Sequence, residues 1–158
     1  MKKLNILFIF FISCIYSFHG FFPKEFKKVG IETFENESIK YGIEISVTQN
    51  FIKGFEEDRR LEVVEPRNAN LLIKGKIKEF IKNPHSFDEK GGVSEYKIII
   101  SAEIEFINKI KNEEFLPKRN FSGWGIYKVP LEDEEIGIER ASQDLAKKVI
   151  TFLFSSSW

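Results

Sequence analysis

Cysteine is almost missing from this chain of 158 residues: there is one, Cys14, beside one methionine, two histidines and two tryptophans. A solitary thiol excludes an internal disulfide and a multi-thiolate metal site, so its role is set by where it stands. The histidines, His19 and His85, supply little for a hydrolytic triad, which needs a nucleophile, a base and an orienting group in register. His85 with Asp88 is the one local pair on offer, and a polar loop histidine is more commonly a plain surface residue. A glycine-rich phosphate loop and metal-spaced Cys/His sets are lacking. Excess charge is lacking too: 24 Lys and Arg balance 24 Asp and Glu, which gives no bulk attraction for nucleic acid. These absences argue against an enzyme and against a cofactor or metal. The longest apolar-rich run, residues 4–12, is too short to span a hydrocarbon core of about 20 helical residues.

What is present begins at the first residue. Met1-Lys2-Lys3, the apolar run and then Ser13-Cys14 read as an export signal that ends at a lipidation site. A thioether-linked lipid on Cys14 would supply the anchor that the short run cannot. Ordinary signal cleavage and an uncleaved anchor are the other outcomes for such a leader, and Phe11-Ile12-Ser13 departs from the usual Leu, Ala or Ser, Gly or Ala before the cysteine. The expected organisation is a signal at 1–13, a lipidated tether at 14–26, and one domain at 27–158. Processing at Cys14 removes Lys2 and Lys3, leaving 22 basic against 24 acidic residues and a net charge of −2. Residues 15–26, with Gly20, Pro23 and several aromatics, read as a short tether or capping segment.

The domain reads as strand, helix, several strands, helix. Residues 29–34 alternate weakly and stop at Glu35-Asn36-Glu37-Ser38, a polar cluster able to cap a helix. Ile39, Ile43, Val47, Phe51 and Phe55 then recur every four residues, which predicts an amphipathic helix. A short strand is expected at 60–64, ended by Pro66. Residues 71–81 alternate, with Leu71, Ile73, Gly75 and Ile77 on one face and Lys74, Lys76 and Lys78 on the other. Asn83-Pro84 and Gly91-Gly92 punctuate a loop or broken hairpin. Tyr96, Ile98, Ile100, Ala102, Ile104 and Phe106 form the clearest period-two run, a half-buried antiparallel strand. A returning strand is expected at 115–127, with Gly123 and Gly125 weakening or bulging its end. After Pro130 the acids 132–135 suit a helix N-terminus, and Ile138, Ala141, Leu145, Val149 and Phe152 mark its apolar face. The expected fold class is α+β: a two-layer sandwich of a mostly antiparallel sheet with two helices on one face.

Taken in order, several segments resemble the lipopolysaccharide-assembly lipoprotein family, LptE. Cys14-Ile15-Tyr16-Ser17-Phe18 is similar to the family's opening of Cys, Gly, Tyr, Ser and an aromatic, with Ile15 in place of the Gly. Val29-Gly30-Ile31-Glu32-Thr33-Phe34-Glu35-Asn36 resembles its first strand and the phrase F-x-N, and Gly42-Ile43-Glu44 with Val47-Thr48 its first helix. Asn68-Ala69-Asn70-Leu71-Leu72-Ile73-Lys74-Gly75-Lys76-Ile77 resembles its Ala-Asp before an apolar strand, with Asn70 where Asp is common. Residues 84–96 resemble its turn and the strand that follows, and Ala141, Asp144, Leu145, Ala146 and Ile150 its closing helix.

The resemblance implies a non-enzymatic role at the periplasmic face of the outer membrane, lipid-anchored. It further implies a large β-barrel partner, LptD, which such a protein plugs, and lipopolysaccharide as the lipid handled. Another envelope lipoprotein, an adaptor or secretion-channel component on a similar domain, is the alternative. The candidate ligand contact is the basic row Lys74, Lys76 and Lys78, extended by Lys82, whose ammonium groups could pair with lipid phosphates. A solvated strand face is the plain alternative. The acidic run 132–135 reads as helix capping before a metal site.

Overall fold

A computed structural model describes residues 22–155; the signal, Cys14 and most of the tether fall outside them. The elements run β1 (Lys28–Ile31), β2 (Glu35–Asn36), α1 (Ile43–Asp58), β3 (Glu62–Val63), β4 (Leu71–Phe87), β5 (Val93–Asn108), β6 (Glu113–Lys128) and α2 (Glu134–Ser155), with a single 3-10 turn at Pro66–Asn68. One sheet holds all six strands in the order β3-β1-β4-β5-β6, with β2 alongside β4. The long β4-β5-β6 meander is antiparallel, while β1 pairs parallel with β3 and β4, and β2 parallel with β4. This is the expected two-layer α+β sandwich. Both helices pack against one face.

The core follows the two periodicities. Ile43, Val47, Phe51 and Phe55 of α1 are buried, as are Ile138, Ala141, Leu145 and Val149 of α2, and they cover the inward Leu71, Ile73, Ile77, Ile98, Ile100, Ala102, Ile104 and Phe106. Phe26 is buried and Phe22 packs beside it, with ring centres 4.8 Å from Phe154 and 6.1 Å from Phe115. The end of the expected tether therefore serves as a cap on the core.

Four local expectations are corrected. Residues 35–38 do not cap α1. Glu35 and Asn36 pair with Lys76 and Ile77 as β2, and the Asn36 side chain accepts from the Ser38 amide and donates to the Lys40 carbonyl. The helix starts only at Ile43, after a left-handed Gly42 (φ 80°) that supplies no side-chain cap. Ile39 consequently lies off the helix and is 92% exposed.

Residues 83–84 do not break the second long strand: β4 continues through Asn83 and Pro84 to Phe87, and the turn lies at 88–92. Proline is tolerated there because β4 past Ile77 pairs only with β5 among the described residues, so a missing donor on the free side costs no ladder bond.

Gly123 and Gly125 keep β6 in register opposite Ile100 and Ile98. Their purpose is clearance for α2. A Cβ at Gly123 would stand 2.2 Å from the Ala141 carbonyl oxygen, and one at Gly125 2.5 Å from that of Gly137.

Candidate functional site

The alternation of β4 puts Lys74 and Lys76 on the face away from the helices. Lys78 joins them at a bulge, where the register with β5 slips between Ile77 and Glu79. The predicted row thus exists. It is not a free cationic strip, because the chain folds three carboxylates against it from β2 and the segments on either side of it. Lys74 Nζ lies 3.4 Å from Glu32, Lys76 3.0 Å from Glu35 and 3.1 Å from Glu37, and Lys78 2.5 Å from Glu37. In the other direction the register sets Glu105 opposite Lys74 and Glu103 opposite Lys76.

Hydrogen bonds from Lys78 and then Lys76 hold the Glu37 carboxyl below its ordinary value. Glu35 and then Glu37 push the Lys76 ammonium up. The row is charge-compensated by its own neighbours. An anionic ligand would have to displace carboxylates there, and these half-exposed pairs each contribute little.

Lys82 departs from the row. Because the bulge inverts the alternation, its side chain lies on the helix side, where its Nζ is 2.5 Å from Glu134 and 4.7 Å from the centre of the Tyr96 ring. Glu134 also binds Lys40 at 2.6 Å, joining the loop before α1, strand β4 and the first turn of α2. Lys40 and then Lys82 hold its carboxyl below the ordinary value.

His85 and Asp88 make no catalytic arrangement. His85 is exposed on β4, and Asp88 Oδ1 accepts the backbone amides of Lys90 and Gly92, which shapes the turn. The acids 132–135 go to the N-terminal end of α2 and its ion pairs, with Glu134 and Glu135 in the first turn.

The rest of the outer sheet face carries a feature that the pattern of β5 and β6 held without being read. Ile81, Ile99 and Trp124 stand side by side in register across β4, β5 and β6, with Ile126 beside Lys97 in the next rank. Trp124 is 48% exposed, and the Lys97 ammonium sits 4.9 Å from the centre of its ring. The face is therefore charged over the half flanked by β1 and β2 and crossed beyond it by an apolar rank, past which Asn83, Lys97, Glu95 and Lys128 follow toward the β4–β5 turn. A sheet face with no helix over it among the described residues, charge-balanced over one half and carrying the half-exposed Trp124 in an apolar rank, suits contact with another macromolecule better than chemistry on a small substrate. Among the described residues no helix is long and apolar enough to cross a membrane.

Comparison with known proteins gives one family: the model for LptE, lipopolysaccharide-assembly, matches residues 26–153. No curated protein matches the chain. Solved structures share its fold at low identity. CT253 of Chlamydia trachomatis gives a TM-score of 0.57 at 7% identity, over 82% of this chain and 96% of that one. PelC of Paraburkholderia phytofirmans, solved as a dodecamer, gives 0.53 at 13%, over 84% and 91%. A minor lipoprotein of Acinetobacter baumannii gives 0.50 at 12%, over 84% and 94%.

Proposed function

The chain belongs to the LptE family of lipopolysaccharide-assembly proteins, and from that membership we propose that it is anchored by a lipid on Cys14 at the periplasmic face of the outer membrane, where it partners and plugs the β-barrel LptD. The observation that carries this reading is the family match across the whole described fold, from the buried Phe26 to the last turns of α2. The family is a non-enzymatic one, so the work is binding and shaping. A two-layer domain with a broad helix-free face is suited to filling a wide barrel that would otherwise leave an aqueous hole.

Contact with lipopolysaccharide through Lys74, Lys76 and Lys78 belongs to the same proposal, with one physical condition. Phosphate groups there must outcompete Glu32, Glu35 and Glu37, whose pairs are exposed enough to exchange.

The test is crosslinking in intact envelopes, pull-down of the tagged full-length protein and identification of the partner by mass spectrometry. Recovery of the lipopolysaccharide-assembly barrel supports the reading. Recovery of a secretion channel or another complex in its place would move the chain to a different envelope task on the same fold.

A further inference from the structure

The two long edges of the meander are finished differently. β6 is an outer strand for its whole length, and over residues 122–128 three side chains of α2, with Glu132 just before it, close its free side. Lys148 Nζ donates to the Ser122 carbonyl, the Trp124 amide donates to Asp144, Arg140 donates to the Ile126 carbonyl and the Lys128 amide donates to Glu132, at 2.8, 3.0, 2.5 and 2.9 Å. These are successive outward-facing residues of one edge. Each has a group satisfied, so β6 presents little template for another strand over residues 122–128.

The opposite edge is covered by β1 at Leu71–Ile73 and by β2 at Lys76–Ile77, and beyond that point β4 pairs only with β5 among the described residues. The Glu37 amide donates to the Ile77 carbonyl, so odd-numbered residues up to 77 turn their backbone groups away from β5. The bulge after Ile77 reverses that parity. Phe80, Lys82 and Pro84 therefore present their backbone groups to the free side, with Pro84 offering a carbonyl and no amide. A second slip, between Pro84 and Ser86, ends the regular stretch. Beside it stand the exposed Ile39 and Tyr41, in a loop located by Lys40, whose ammonium lies 5.8 Å from the Phe80 ring centre.

We infer that this open edge of β4, residues 79–83, receives an extended segment of the partner barrel's chain as an added strand. The inference rests on the barrel partnership proposed above. The occupant is specified by chemistry: evenly spaced backbone donors and acceptors are matched by another extended backbone. A closed barrel wall has no unpaired edge to give, so the segment comes from a loop or terminal arm outside the wall. Its outward side chain beside Ile81 is apolar, because that position prolongs the row Ile81-Ile99-Trp124.

The test is amide hydrogen exchange at single-residue resolution on the full-length protein, alone and co-purified with its barrel. Alone, the Phe80 and Lys82 amides exchange freely while Ile81, paired with Ile99, is protected. In the complex, Phe80 and Lys82 gain protection by about tenfold or more, the effect of a net hydrogen bond of ordinary strength. Lys82→Pro, which deletes an outward amide, abolishes co-purification of the barrel, whereas Lys82→Gln, which keeps the amide and loses the Glu134 ion pair, retains it. Co-purification without the alternating gain in protection overturns the added strand and leaves the partnership standing. Equal retention, or equal loss, by the two variants also overturns it. If wild type captures no barrel, the partnership fails and the added strand fails with it.

Discussion

Ile100 in the middle strand and Leu145 in the middle of α2 are both fully buried, and their neighbours have little room to close a void. Beside Leu145, the Gly123 backbone comes so near that a Cβ there would meet the Leu145 Cβ at 2.6 Å. Truncation of either residue to Ala is expected to cost about 2 to 5 kcal/mol, the loss of transfer energy plus a cavity that cannot collapse. Glu103→Ala, on the opposite strand face, is expected to cost well under 1 kcal/mol. Chemical denaturation of the three variants checks the assignment of faces; comparable effects from all three would contradict it. The same scale shows why Ile39 misled. Its spacing from Ile43 is helical, but the Asn36 side chain ties up the Ser38 amide and the Lys40 carbonyl and holds that segment in a turn. A local polar side chain outweighed periodicity there.

The joint between α2 and β6 is held by a carboxyl that responds to acid. Glu132 accepts from Arg140 and from the Lys128 amide, which together hold its carboxyl at about 2, below the ordinary 4.5. A carboxyl lowered on folding contributes stability that is present above its ordinary value and lost as pH falls through that value toward about 2. Unfolding measured from pH 5 to pH 2 should therefore show stability falling through this window, with Glu132→Gln giving a shallower decline; an identical slope in that variant would show that the seal is not coupled to folding.

Among the elements, the alternation of β5 and the four-residue stripe of α1 were legible because a buried face imposes one period on the sequence. The course of β4 was not. Its bulge after Ile77 keeps Lys78 beside Lys74 and Lys76 but turns Lys82 to the helices, and the acids that neutralise the row come from residues about 40 positions earlier. Long-range pairing of that kind leaves no periodic trace. It sets a prediction for the row: Glu32, Glu35 and Glu37 all changed to Gln should strengthen lipopolysaccharide binding and make it more salt-sensitive, while Lys74, Lys76 and Lys78 all changed to Gln should weaken it and make it less so. Titration at low and moderate salt reads both, and unchanged affinity in the two triple variants would leave the row a solvated strand face.

At the scale of the whole molecule, Phe22 packs at the end of the fold where α2 finishes, with its ring 4.8 Å from that of Phe154. The β4–β5 turn lies at the other end, beside the finish of β6 and the start of α2. Phe22 stands eight positions after Cys14, a reach of about 28 Å at full extension. A lipid on Cys14 would keep the aromatic cap within about that reach of the membrane. Cys14→Ala is expected to move the protein from the membrane to the soluble periplasmic fraction, read by fractionation and by mass spectrometry of the mature N-terminus. A wild-type protein that stays on the membrane without lipid would refute that anchor. The family match points to one task, the assembly of lipopolysaccharide. The most direct measurement is lipopolysaccharide in the outer leaflet of the native host after depletion of this protein, quantified by surface labelling of intact cells. Surface lipopolysaccharide is expected to fall as the protein disappears and to return when the wild-type chain is re-expressed; an undiminished surface level through full depletion would refute a role in its assembly.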